Sequence, residues 1–466
     1  MIFSLKNIKR VALLVVAGLI LTACGNKEDD IIDGPLTADT QSKPMVTLHI
    51  QPVTTRQNSG KVVEKVKSLR IIMLNQIDDK EYVEFNKYID FSGITADPDV
   101  SSSGDEAAAF NYIFSRVSVP GKKKFYLIAN EESVESLSFA DEETTPDWVQ
   151  GSISLTQLLD HYKEEYIPGY ENMHQFENNH SEVTTALGKQ FEEVMNSVYF
   201  MPEYTVNSKN EVFLPYSAYY GDYELKETTE ADGSVAYRTI NAEMYLVPIA
   251  TKFDFKIINY RKNPVQIDNI EVQSINKSSF LNAQLASSEL YRDNGKWWID
   301  WLAECSRLSQ NSPDLPTFND LWGWVSGFDI PLDDKSDFTV KILNEDNEYW
   351  EVKELVDISD PDILNLGPYY FPESKNLVEK QILNTETNQF ETKLVETYYV
   401  NFTMHDLKID RPFDSGLMEI VNLKSMFRAT HITIYVNLRQ SEVEIYAEMA
   451  PWNLIEFKGY VQEEDD

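Results

Sequence analysis

The chain has 466 residues, 42 % of them apolar and 12 % aromatic, which is enough to bury real cores and too long for one typical domain. Seventy-six acidic against 41 basic side chains leave a net charge of −35, which argues against nucleic acid or anionic lipid as a partner, because both need positive protein surface. There are two cysteines, Cys24 and Cys305.

The first 24 residues read as an export signal. Lys6, Lys9 and Arg10 form a short basic region, and residues 11–21 (VALLVVAGLIL) are an uninterrupted apolar run. That run is too short to span a bilayer, which takes about 20 residues. Leu21, Thr22 and Ala23 supply the small residues of a signal-peptidase site, followed at once by Cys24. The pattern resembles a lipobox, so Cys24 is the expected lipid attachment point and residues 1–23 the signal that is removed. With Cys24 acylated, Cys305 is the one remaining thiol, no intrachain disulfide can form, and stability must come from packing. Cys305 itself reads as a small buried hydrophobe.

Residues 25 to about 43 are polar, acidic and without periodicity, which is the composition of a tether. Val46, Leu48 and Ile50 then alternate with Thr47 and His49, a strand with one apolar face, and residues 54–60 (TTRQNSG) break it. A second strand is expected at Leu69, Ile71 and Met73, a loop over 93–105, and a strand, Pro-Gly turn and strand between Val117 and Asn130. Two amphipathic helices are predicted, one on Leu155, Leu158, Leu159 and Tyr162, the other on Val183, Leu187, Phe191, Val194 and Val198. From about residue 212 the chain is β-rich. Phe253, Phe255 and Ile257 form one strand and Ile270 and Val272 start another; Ile432 to Leu438 and Val443 to Met449 form a hairpin. Many short alternating strands joined by polar turns predict sandwiches rather than a parallel sheet.

No catalytic or metal motif emerges. There is no Gly-rich phosphate loop, no Gly-x-Ser-x-Gly and no His-Glu-x-x-His. His174 and His180 do not share a helix face, and the loop with Asp357, Asp360 and Asp362 lacks the Gly and Glu of a calcium loop. The expectation is a protein that is not an enzyme and has neither cofactor nor metal. Trp297, Trp298, Trp301, Trp322 and Trp324 fall within 28 residues and read either as core packing or as a stacking platform for sugars. A glycan-binding surface lipoprotein is therefore the rival class.

Several short stretches resemble the FimA-type fimbrillins, the major and minor fimbrial subunits of Bacteroidota-type bacteria. These are the lipobox and acidic tether, MVTLHI followed by TTR at 45–56, VEKVKSLRIIML at 63–74, and VPGKKKFYLIAN at 119–130. FLPYS at 213–217, with Tyr216 and Ala218 in place of the family's Met and Gly, and the closing Ala450-Pro451-Trp452 complete the likeness. The resemblance implies a mainly β chain of two transthyretin-like β-sandwich domains with a few inserted helices, 57–238 and 239–466. It also implies an arginine-specific extracellular protease that cuts between Arg56 and Gln57 and removes the strand carrying Val46, Leu48 and Ile50, so that residues 24–56 are tether plus removable strand. Partners would be other fimbrial subunits and, through the lipid of the precursor, the outer membrane, before transfer to the surface fimbria. The likeness leaves stalk, tip and anchor roles open.

Excision of such a strand would bare backbone donors and acceptors together with the pocket of three apolar side chains, each worth ~1.5–3 kcal/mol when buried. Refilling it from another copy makes a head-to-tail contact that does not close on itself. Beyond Trp452, Ile455, Phe457 and Val461 alternate with Glu456, Lys458 and Tyr460. This segment is the expected donor strand, or else the last edge strand of its own domain.

Overall fold

In the computed structural model the described residues are 44–52, 62–77, 80–91, 112–140, 145–164, 191–229, 233–282, 339–343, 349–355, 362–374, 376–385, 387–421, 423, 426, 428–440 and 442–451. They are mainly β, arranged as sheets around two large apolar cores, with a third apolar cluster between the first sheet and two short helices.

The first sheet is built from seven long strands: β1 (Met45–Pro52), β2 (Ser68–Ile77), β3 (Lys80–Asp90), β4 (Tyr112–Val117), β5 (Gly121–Ala129), β6 (Tyr216–Thr229) and β7 (Ile240–Pro248). Their order across the sheet is β3-β2-β5-β6-β7-β1-β4, with the short strand Val235–Arg238 paired to β6. The two ends of this path meet through side chains. Phe85 of β3 and Phe114 of β4 lie 4.9 Å apart, Arg116 sits over the Phe85 ring at 4.6 Å, and Tyr112 meets Phe91 edge-on at 5.6 Å. The sheet thus curls around its own core, which takes Leu69, Ile71 and Met73 from β2 and Phe125, Leu127 and Ala129 from β5. That alternation is the one expected at the second strand and after the Pro-Gly turn.

The opposite face of β2 and β5 (Ile72, Leu74, Tyr126, Ile128) is covered by two short helices, α1 (Leu155–His161) and α2 (Phe191–Ser197). Helix α1 begins where Ser154 accepts from the Gln157 N–H and the Gln157 side chain returns the bond, a capping box, and it buries Leu155, Leu158 and Leu159 as expected. Helix α2 corrects the sequence reading at its end: Val198 is not its last apolar position but the start of the strand Val198–Phe200. Val183 and Leu187 lie outside the described residues.

The second core is a two-sheet sandwich. One sheet orders β10 (Ile363–Phe371), β8 (Thr251–Asn259), β12 (Thr430–Leu438) and β13 (Val443–Pro451). The other centres on β9 (Val265–Gln273) and β11 (Tyr399–Asp406), with Thr339–Leu343 and Arg411–Asp414 at its edges. The expected hairpin is β12 and β13, paired from Leu438 with Val443 to Thr430 with Pro451. Phe253, Phe255 and Ile257 face Val400, Phe402 and Met404 across this core.

Two features differ from the sequence reading. Pairing is not purely antiparallel, since β1 runs parallel to β7 and β8 parallel to β12. Strand β7 also follows the division drawn at 238/239, yet it pairs with β1 and packs in the first core; the change of core falls between Ala250 and Phe253. Alternation in β7 marks a strand without marking which sheet it joins.

Candidate functional site

The removable strand read from the sequence is an interior strand. β1 lies between β7, parallel with Val46 opposite Ile240 and Pro52 opposite Leu246, and β4, antiparallel with Met45 opposite Val117 and Ile50 opposite Tyr112. Val46, Leu48 and Ile50 are fully buried in the first core. Thr47 and His49 turn to the other face and are half-buried, and the Thr47 hydroxyl meets that of Ser115 at 3.0 Å. The strand's entry is fixed by Ser118 N–H donating to the Pro44 carbonyl at 2.9 Å.

Burying those three side chains contributes roughly 5–9 kcal/mol. The backbone of β1 is satisfied on both sides, so its loss would leave the facing edges of β4 and β7 without partners. Strand β4 pairs with no strand but β1 among the described residues. Its ties elsewhere run through side chains, among them contacts to Phe85 and Phe91 and the Arg116–Glu164 ion pair at 3.9 Å.

The other predicted site residues, Cys24, Arg56, Gln57, Ile455, Phe457 and Val461, lie outside the described residues, as do Cys305, the five clustered tryptophans, His174 and His180. Of the three aspartates weighed for calcium, Asp362 is described, and its carboxylate lies 3.9 Å from Lys353. Among the described residues no group of three or more His, Cys, Asp or Glu is placed to hold a metal, and no helix is long and apolar enough to cross a membrane.

What sequence reasoning missed is the polar joinery between the two cores. Arg428 is fully buried; its guanidinium pairs with Glu373 and donates to the carbonyls of Leu281 at 3.0 Å and Phe280 at 2.7 Å. Nearby, Glu64 accepts from Lys252 at 3.1 Å and from the Tyr370 hydroxyl at 2.9 Å. Burial pushes the Tyr370 hydroxyl far above its usual range, and the Glu64 charge adds to the effect. Single charged residues in a strongly acidic chain carry no sign that they will be buried. Only their placement inside apolar strands, as with Lys252 beside Phe253 and Phe255, hints at it.

No family model and no curated protein matches the sequence. Among solved structures, the chain is similar to the tip fimbrial protein Mfa3 from Porphyromonas gingivalis with C-terminal truncation, at 10 % identity and a TM-score of 0.41, covering 88 % of this chain and 100 % of that one. A putative cell adhesion protein from Parabacteroides distasonis is similar at 10 % identity and a TM-score of 0.39, covering 89 % and 98 % of the two chains. A fimbrial assembly protein from the same organism is similar at 7 % identity and a TM-score of 0.35, covering 88 % and 100 %.

Proposed function

We propose that this chain is a structural subunit of a cell-surface fimbria that supports adhesion. In this reading it is exported, lipidated at Cys24 and held at the outer membrane. An arginine-specific extracellular protease then cuts after Arg56, β1 departs with the lipid, and a strand from a neighbouring subunit takes its place. The observation that carries the reading is the position of β1. It is the first strand among the described residues, preceded in the sequence by a polar stretch; it is interior to its sheet, and it fills the core with an uninterrupted Val46, Leu48, Ile50 face. An N-terminal strand so placed leaves, on removal, a long groove with apolar floor and two hydrogen-bonding edges, which favours β-strand addition from another copy. The donor in this reading is the segment with Ile455, Phe457 and Val461, just beyond β13, an edge strand of the second sandwich.

The test is the N-terminus of protein recovered from the cell surface. It is expected at Gln57, without lipid; an intact acylated N-terminus throughout would instead indicate an anchor subunit. Fatty-acid labelling is expected in the wild type and absent in Cys24→Ala, and equal labelling of both would remove the lipoprotein step.

A further inference from the structure

At one end of the first core three polar side chains are shut away from water, and strand exchange makes no use of them. Asn75 and Lys123 are fully buried and Glu84 is 2 % exposed. The Lys123 ammonium pairs with one carboxylate oxygen of Glu84. The other oxygen accepts from the Ser118 hydroxyl at 2.6 Å and the Val119 N–H at 2.9 Å. Neither the oxygen nor the nitrogen of the Asn75 amide has a hydrogen-bond partner among the described residues. A fully buried amide left unpartnered is unusual, because such groups normally find a partner or are replaced.

The sheet brings the three together. Asn75 on β2 stands directly opposite Lys123 on β5, and two residues along the same strands Met73 stands opposite Phe125 on the first-core face. Directly opposite residues have Cβ atoms about 4.5–5.5 Å apart, well within the reach of a lysine chain. Strand β2 lies between β3 and β5, so an ammonium that leaves β5 and meets Glu84 on β3 has crossed the strand that carries Asn75. The Asn75 amide leans the opposite way: a Cβ on Gly121 of β5 would come within 2.4 Å of its Oδ1. The lysine chain thus crosses the strand position that Asn75 occupies, and the unpartnered amide stands beside its path, leaning toward β5. Burial holds the Lys123 amine below its usual pKa, despite the Glu84 charge that opposes this.

We propose that Lys123 and Asn75 form an intramolecular isopeptide cross-link between β5 and β2, with Glu84 as the proton carrier. Glu84 takes one proton from the ammonium, leaving a neutral amine. The Nζ lone pair attacks Cγ of Asn75 while the carbonyl electrons move to Oδ1. Glu84 then hands its proton to Nδ2 and takes another from Nζ. As the carbonyl re-forms, the Cγ–Nδ2 bond breaks and ammonia leaves. One C–N bond forms and one breaks, nothing is oxidised or reduced, and no co-reactant is needed. The five N–H protons at the start end as one on the new amide, three on ammonia and one on Glu84, which ammonia can carry off. Burial of all three side chains keeps bulk water from competing. The product removes both the buried ion pair and the unpartnered amide.

The test is mass spectrometry of the purified protein after proteolysis. Loss of ammonia makes the branched peptide joining the Asn75 and Lys123 fragments about 17 Da lighter than the sum of the two. That peptide is expected in the wild type and absent from Lys123→Met and Asn75→Ala. Glu84→Gln should yield the two fragments unjoined from a chain whose circular dichroism still shows folded β structure. Separate, full-mass fragments from the wild type would overturn the cross-link. Full cross-linking in Glu84→Gln would overturn the proton-carrier role.

Discussion

At the scale of single residues, the buried face of β1 makes a prediction that distinguishes a removable strand from an ordinary one. Leu48→Ala in the uncut protein should lower stability by about 2–5 kcal/mol, the usual range for a fully buried leucine, because the site cannot collapse around the void. After cleavage at Arg56 and release of the strand, wild type and variant should unfold at the same denaturant concentration. A difference that persists would mean that β1 stays in place. Buried tyrosines set a second expectation. Burial raises the hydroxyls of Tyr204, Tyr216 and Tyr370 above the ordinary value of 10.0. Above about pH 10 the unfolded chain loses these protons while the folded chain keeps them, so the folded state binds more protons and stability falls as pH rises. The denaturation midpoint should therefore drop between pH 9 and pH 11, and a flat profile would contradict the burial of these hydroxyls. Not every residue was legible in the sequence. Val46, Leu48 and Ile50 announced their face by alternation. Lys123, in the run Lys122-Lys123-Lys124, gave no sign that the middle lysine is the fully buried one, since that depends on Glu84 arriving from a strand the sequence reading did not separate.

Among the elements, β4 depends most on β1. It pairs with β1 alone among the described strands, and its ties elsewhere run through side chains such as Phe114, Tyr112 and Arg116. Removal of β1 should therefore abolish amide hydrogen-exchange protection over Tyr112–Val117 while β2 and β5, paired on both sides, keep theirs. Refilling of the groove should restore it. Unchanged protection in the cut, unassembled protein would show that the side-chain contacts alone hold β4. The elements themselves were largely readable: the alternation of β1, β2, β8, β12 and β13 and the capped start of α1 are local signals. Their neighbours were not. That β1 runs parallel to β7, some two hundred residues later in the chain, is decided by which apolar face completes the first core, and alternation is blind to that.

For the molecule as a whole, the two cores are joined by buried charge rather than by apolar contact alone. Arg428, one residue before the Ala429 N–H that donates to the Ala250 carbonyl, reaches Glu373 and the carbonyls of Phe280 and Leu281. Arg428→Met leaves Glu373 buried without its partner and should cost about 3–5 kcal/mol, of which the double change with Glu373→Leu should recover a large part. Equal losses in the single and double variants by chemical denaturation would mean that the pair contributes packing and not charge.

In the proposed assembly, β1 blocks polymerisation until it is cut away. The most direct test compares wild type with Arg56→Ala, each treated with an arginine-specific protease and then examined for filaments by electron microscopy. Filaments are expected from the wild type, together with a new N-terminus at Gln57, and only monomers from Arg56→Ala with β1 still attached. Filaments of equal length from both proteins, with β1 retained, would show that assembly does not depend on removing β1.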